Sequence, residues 1–296
     1  MMYTPELQQH LSRFETALPG YMPRTGDLQT TVAEAMAYAC EGGGKRIRPV
    51  LVMEFCRLCG GDAAAALPFA AAIEMIHAYS LVHDDLPCMD NSPVRRGRPS
   101  AHVVYGETMA LLAGDGLLNL AFETMLRKEN ISALPAGNVL GAASALADAA
   151  GIDGMVGGQV IDLESEGKAI DLATLEALQR GKTAALLTAA CVMGARVAGA
   201  TAAEEEAARR FGENIGLSFQ IVDDILDVTA TAEQLGKPVG SDAVNEKVTY
   251  VSLLGLEKAR QLAQQRTADA LAALDIFGEK AQPLRHLAQA LLIRDH

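Results

Sequence analysis

The sequence predicts an all-α protein, a single-domain bundle of about ten or more helices around a central cavity. Three observations carry that prediction. Ala, Leu, Glu, Gln and Met dominate long segments in which apolar residues recur every three or four positions, the period of a helix with one buried face. Alternating Val, Ile and Thr between hairpin turns is hard to find, Trp is absent and aromatic residues make up 4% of the chain, which leaves little to build a sheet. Two apolar segments also carry stripes of polar and small residues at helical spacing, and these read as walls of a cavity.

In chain order, Ala70 to Leu86, Thr108 to Arg127, Leu172 to Val197 and Ala202 to Val228 are the clearest helices. The breaks at Gly42 to Pro49, Pro87 to Pro99, Gly151 to Gly158 and Gly236 to Asp242 read as connections. None is long enough, or rich enough in Pro, Gly, Ser or charge, to serve as a flexible linker, so residues 1–296 are read as one domain. Half of the 296 residues are apolar, enough for a large core without disulfides or structural metal.

A formal net charge of −12 argues against a nucleic-acid partner, because phosphate backbones are held mainly by Lys and Arg. The N-terminal stretch has neither the basic nor the apolar region of a signal peptide, and no run of about 18 apolar residues is expected to span a bilayer. A cytoplasmic protein without stable membrane insertion is the expectation. Five cysteines at irregular spacing suit reduced thiols, and the lone CxxC of Cys56 and Cys59 reads as core packing.

The chemistry gathers in two acidic segments about 140 residues apart, His83-Asp84-Asp85-Leu86-Pro87-Cys88-Met89-Asp90 and Val222-Asp223-Asp224-Ile225-Leu226-Asp227. Gly216, Gln220, Asp223 and Asp227 fall on one helix face, and Ile73, His77, Ser80 and Asp84 repeat that spacing. Carboxylates crowded in apolar surroundings need cations. With oxygen donors and no Cys or His at ligand spacing, Mg²⁺ completed by a substrate polyphosphate is the natural choice over Zn²⁺. A solvated acidic helix end is the bland alternative. Pro87 should end or bend the first helix, so Asp90 must fold back if it is to share a metal cluster with Asp84.

Gly42-Gly43-Gly44-Lys45-Arg46-Ile47-Arg48-Pro49 places three cations on a flexible turn, and Arg95-Arg96-Gly97 follows the first acidic segment. The turn is not a Walker A loop, since Ala39 and Arg46 stand where Gly and Ser or Thr are required. Such a turn can be an ordinary solvated loop, but it can also grip a diphosphate that carries no metal. Lys182-Thr183, Lys237 and Lys247 complete the candidates, and spacing alone assigns none of them.

Together, GGGKRIRP, IHAYSLVHDDLPCMD, RRG, GGQVIDLESEG, GKTAALL, FQIVDDILD, GKPVGSD and KVTYVSLLGLEKAR resemble, in order, the motifs of the trans-isoprenyl diphosphate synthases, most closely the bacterial farnesyl diphosphate synthases. The resemblance runs from about Gly42 to Arg260, departing at Asn91-Ser92-Pro93, where relatives often carry further acidic residues. It implies the isoprenoid synthase fold, a homodimer, and a Mg²⁺-dependent head-to-tail prenyltransferase that condenses isopentenyl diphosphate with dimethylallyl or geranyl diphosphate. It further implies that Asp84, Asp90 and Asp223 bind three Mg²⁺ ions per site, for which Mn²⁺ can substitute, with Asp85, Asp224 and Asp227 in support. Arg95, Lys182, Lys237 and Lys247 would grip the allylic diphosphate, while Lys45, Arg48, His77 and Arg96 would hold isopentenyl diphosphate. The Lys182 carbonyl, Thr183 and Gln220 would steady a carbocation with oxygen dipoles. The Pro87-Cys88 insertion, with Tyr79 and Ser80 about one turn before the aspartates, looks like the farnesyl type and makes Tyr79 the expected stop for the growing chain. The rivals are a geranylgeranyl diphosphate synthase, a terpene cyclase, which would lack the basic site, and a non-catalytic regulatory homologue, which would lose metal aspartates.

Overall fold

A computed structural model describes residues 2–26, 28–229 and 247–294. The helices are α1 (Pro5–Ala17), α2 (Thr30–Cys40), α3 (Ile47–Leu58), α4 (Leu67–Asp84), α5 (Ala101–Tyr105), α6 (Glu107–Met125), α7 (Lys128–Ala133) and α8 (Ala136–Ala150). They continue as α9 (Met155–Ser165), α10 (Leu172–Gln179), α11 (Ala185–Ala198), α12 (Ala202–Thr229), α13 (Tyr250–Leu254), α14 (Leu256–Ala273) and α15 (Gln282–Leu292). Among the described residues the only strands are β1 (Val94–Arg95) and β2 (Arg98–Pro99), an antiparallel pair inside the predicted Pro87 to Pro99 connection. The all-α class is therefore observed.

Helix α4 runs through the centre. Its residues Phe69 to Ile76 are all buried, because it packs against α3, α6 and α11 and has no free face until its last two turns. Those turns alone carry His77, Ser80 and Asp84 outward from the core. Helix α12 is longer, 28 residues, and joins two cores. Its first half, with Phe211 and Ile215, enters the main cluster around Phe55 and Phe69, whereas Ile221, Val222 and Leu226 belong to a smaller cluster with Leu175, Tyr250 and Ala259. The apolar residues of α4 and α12 thus anchor each helix while leaving its acidic end at a boundary.

Two expectations change. The predicted helix Leu172 to Val197 is broken by a π-turn at Arg180–Ala184, a widening that periodicity does not reveal. The predicted break at Gly151 to Gly158 ends early, since α9 begins at Met155 and contains Gly157 and Gly158. Glu107–Ala133 and Ala136–Ser165 each hold a window apolar enough on average to match a membrane span by length and composition, but each is split between two helices and, as expected, neither contains an unbroken run of about 18 apolar residues. All five cysteines are free, and burial pushes the Cys56 and Cys59 thiols up to about 12.

Candidate active site

At the first acidic end, His77, Ser80 and Asp84 line one side of a cavity of about 300 Å³, while Ile73, on the same stripe, stays in the core. Tyr79 is also in the lining, edge-on to His83 with ring centroids 5.8 Å apart. The cavity continues along Met155, Val156, Val160 and Leu186, an apolar route away from the carboxylate. Helix α4 stops at Asp84, and beyond Pro87 the chain folds back: the Asp90 N–H donates to the Asp84 carbonyl at 2.8 Å, and the Asn91 N–H to that of Leu86 at 3.1 Å. Burial raises the Asp84 carboxyl above its ordinary value; Asp90 and Asp85 add to this, and Lys182 and Arg95 oppose it. Asp85 is buried and faces away, where its carboxylate accepts from Arg95 Nη2 at 2.6 Å and Nε at 3.1 Å. Arg95 therefore stands beside a separate cleft with Tyr38 and Arg98 and does not line the large cavity.

At the second acidic end, Gln220, Asp223 and Asp224 face a cavity of about 360 Å³ together with Asp162, Lys182, Thr183 and Lys247. Asp223 Oδ1 accepts from Arg294 Nη2 at 2.6 Å; the same nitrogen donates to the Phe219 carbonyl, and the guanidinium lies 3.9 Å over the Phe219 ring. Asp224 is buried, and its Oδ2 accepts the Tyr250 N–H at 2.7 Å, which fastens the start of α13 to α12. Asp227 is buried at 3% exposure.

Lys182 and Thr183 line both cavities. They sit on the π-turn, and its position is set by backbone contact: a Cβ on Gly158 would overlap the backbone of Gly181 and Lys182, so only glycine lets α9 approach this closely. One turn beyond Gly158, Asp162 meets Lys182 Nζ at 2.5 Å and Lys247 Nζ at 3.9 Å. Lys182 thus has a counter-anion and is only partly exposed. Asp162 was missed from the sequence, although it stands within GGQVIDLESEG and four residues from Gly158, on the same helix face.

Arg48 and His77 share the first cavity, and Arg96 Nη2 donates to His77 Nε2 over 3.3 Å while Arg96 Nη1 also donates to the Gly43 carbonyl. Burial, with Arg48 and Arg96 nearby, holds His77 well below its ordinary pKa, so the ring is neutral and can accept that bond. Burial likewise pushes Arg48 down to about 10, and its Nε is buried without a hydrogen-bond partner. An orphaned cationic donor at a cavity wall is suited to an anion. Lys45 is exposed; burial and Arg294 lower its pKa, opposed by Asp223. Lys237 lies outside the described residues.

Among the described residues no three Asp, Glu, His or Cys side chains converge into a ready-made metal site. The oxygen-only donors Asp84, Asp90 and Asp223 nevertheless fit Mg²⁺, which takes one or two carboxylates and draws the rest of its octahedron from phosphate and water. The Asp84 carboxyl, raised by burial with Asp90 and Asp85 adding to it, marks a place where a cation would be stabilising.

The polyprenyl synthetase family model matches residues 29–283. The chain is 47% identical over 267 residues to the chloroplastic geranylgeranyl pyrophosphate synthase of Capsicum annuum, covering 90% of this chain and 72% of that one. It is 43% identical over 290 residues to the farnesyl diphosphate synthase of Geobacillus stearothermophilus, covering 98% and 97%. The geranyltransferase of Helicobacter pylori, solved with magnesium and isoprenyl diphosphate, superposes with a TM-score of 0.82 at 32% identity, covering 99% and 98%.

Proposed function

We infer the reaction from one premise: the chain belongs to the polyprenyl synthetase family. It is a prenyltransferase. We propose that it condenses isopentenyl diphosphate with dimethylallyl or geranyl diphosphate and releases farnesyl diphosphate and diphosphate. The observation that carries this reading is the common wall of the two cavities. Lys182 and Thr183 stand between a polar chamber suited to a diphosphate head and an apolar chamber suited to its tail.

Asp84, Asp90 and Asp223 would hold three Mg²⁺ ions, or Mn²⁺ in their place, with Asp85, Asp224 and Asp227 bracing them. Bound there, the metal supplies positive charge toward the leaving diphosphate. Lys182, Lys247 and Lys237 add fixed charge on the same group, and Arg95 does so on release from Asp85. Lys45, Arg48, His77 and Arg96 hold isopentenyl diphosphate with its double bond toward the allylic carbon. When the allylic C–O bond breaks, the electron pair leaves with the diphosphate, and the Lys182 carbonyl, Thr183 and Gln220 turn oxygen dipoles toward the carbocation. The isopentenyl double bond forms the new C–C bond, and the released diphosphate takes the proton that restores an alkene. The apolar walls exclude the water that would otherwise trap the cation.

Farnesyl length is supported by Tyr79, a bulky side chain in the lining of the tail chamber, with Ser80 beside it. A geranylgeranyl product is the second reading, favoured by the higher identity to the Capsicum enzyme. Incubation with isopentenyl diphosphate, each allylic diphosphate and Mg²⁺ decides between them: C15 is expected from the native chain and longer products from Tyr79→Ala. Unchanged C15 output from the variant would remove Tyr79 as the stop, and no isopentenyl consumption under any pairing would remove the reaction.

A second copy of this chain is the proposed cover for the exposed Leu111 and Leu112 on α6. Glu107, Asp115 and Glu123 on α6 make that face a poor match for an anionic lipid surface. Sedimentation at dimer mass is the expected result, in keeping with a protein that works in the cytoplasm.

A further inference from the structure

Among the described residues, only Arg46 (φ 51°), Asn91 (φ 48°) and Arg96 (φ 53°) adopt positive φ without being glycine. Left-handed backbone at a bulky residue persists where surrounding contacts impose it. Two of the three, Arg46 and Arg96, meet the basic turn from different sides: Arg96 Nη1 donates to the Gly43 carbonyl and its guanidinium lies where a Gly44 side chain would be.

Arg46 itself points the other way. It is 3% exposed, and its guanidinium donates to Glu15 Oε1 at 2.7 Å, Glu74 Oε1 at 2.6 Å and the Cys40 carbonyl at 2.8 Å. These partners come from α1, α4 and the end of α2. Phe14 of α1 lies 5.7 Å from the same group, and the Tyr3 hydroxyl donates to the Lys45 carbonyl. A buried guanidinium is tolerated because two carboxylates and a carbonyl satisfy it. With Arg46 drawn inward at left-handed φ, its neighbours diverge: Lys45 is exposed and Arg48 enters the cavity beside His77.

We propose that Arg46 is a positioning residue for the basic diphosphate subsite, and that the N-terminal segment Tyr3 to Glu15, outside the 29–283 family match, is the strap that holds it. The proposal rests on reading Lys45, Arg48, His77 and Arg96 as the isopentenyl diphosphate site. Arg46 touches no substrate. It fixes the turn from below as Arg96 does from above, so that cations on a glycine-rich segment meet the diphosphate already ordered.

Glu15 has a side chain 45% exposed, so Glu15→Gln combined with Tyr3→Phe should loosen the turn without unfolding the protein. In the full chain the double variant is expected to raise KM for isopentenyl diphosphate about tenfold, while KM for geranyl diphosphate, kcat at saturation and melting temperature stay at native values. Arg46→Lys should retain more isopentenyl affinity than Arg46→Met. An equal rise in both KM values, a fall in melting temperature that accounts for the loss, or no change in isopentenyl KM would overturn the strap. Arg48→Gln is the control for the underlying reading. If it leaves isopentenyl KM unchanged, the subsite assignment fails and the strap falls with it; if it raises KM while the double variant does not, only the strap fails.

Discussion

The two acidic helix ends spell nearly the same motif and are held in opposite ways. The end of α4 grows out of the main core, terminates at Asp84 and returns through its own backbone, so its geometry is local. The acidic face of α12 lies within the helix, beside the smaller cluster, and is fixed by distant groups: Tyr250 through Asp224 and Arg294 through Asp223. The first end leaves Asp84 raised by burial, which Lys182 and Arg95 offset only in part; the second supplies Asp223 with a directly bonded protein cation. Similar carboxylate spacing therefore gives one end whose partner must come from the ligand and one whose partner must be displaced by it.

The largest effect should come from removing a charge at each end. Asp84→Asn and Asp223→Asn should each lower kcat by about 10²–10³-fold in Mg²⁺, as expected for a group acting on the departing charge. Stability should separate them. Asp84→Asn relieves a buried carboxylate and should leave the melting temperature level or higher, whereas Asp223→Asn strands the Arg294 guanidinium and should cost about 1 kcal/mol, at the low end because Asp223 is 43% exposed. Thermal unfolding in EDTA checks this; equal stability changes would erase the contrast.

Next in size are the bracing aspartates. Asp224→Ala removes the acceptor for the buried Tyr250 N–H and should destabilise by about 1–3 kcal/mol, with faster amide exchange confined to α13 and α14. Asp85→Ala should act differently, freeing Arg95 and altering the KM for the allylic diphosphate more than the fold. Exchange spread evenly over the chain in the Asp224 variant would deny it the role of clasp.

That contrast also marks what the sequence could tell. Periodicity located α4 and α12, and the stripes through Asp84 and Asp223 named the cavity walls, because helical spacing and crowded carboxylates are local facts. It did not locate Asp162 as the partner of Lys182, since the two are twenty residues apart and meet only through the Gly158–Gly181 contact. Nor did it foresee that Arg95 would be held by Asp85, a choice made by the β1–β2 hairpin. The π-turn hid inside an Ala- and Leu-rich run whose pattern continues on either side of it. In each case the missing information was a tertiary contact between segments that individually read as ordinary helix or turn.

The smallest effect concerns pH, and it belongs to α4 alone. His77 is kept neutral in the folded protein by burial and by the positive charge of Arg48 and Arg96, whereas in the unfolded chain it takes up a proton near pH 6.5. Below that value the unfolded state binds more protons, so stability falls as pH falls; above about pH 7 both states are neutral and the contribution vanishes. Between pH 7 and 5.5 the native chain should therefore lose about 1 kcal/mol more than His77→Gln, which has nothing to protonate at that position. Denaturant unfolding of both proteins at the two pH values measures the difference. The acidic face of α12 carries no histidine, so Gln220→Ala should follow the native pH slope. If His77→Gln keeps that slope too, His77 is not held neutral by its burial beside Arg48 and Arg96.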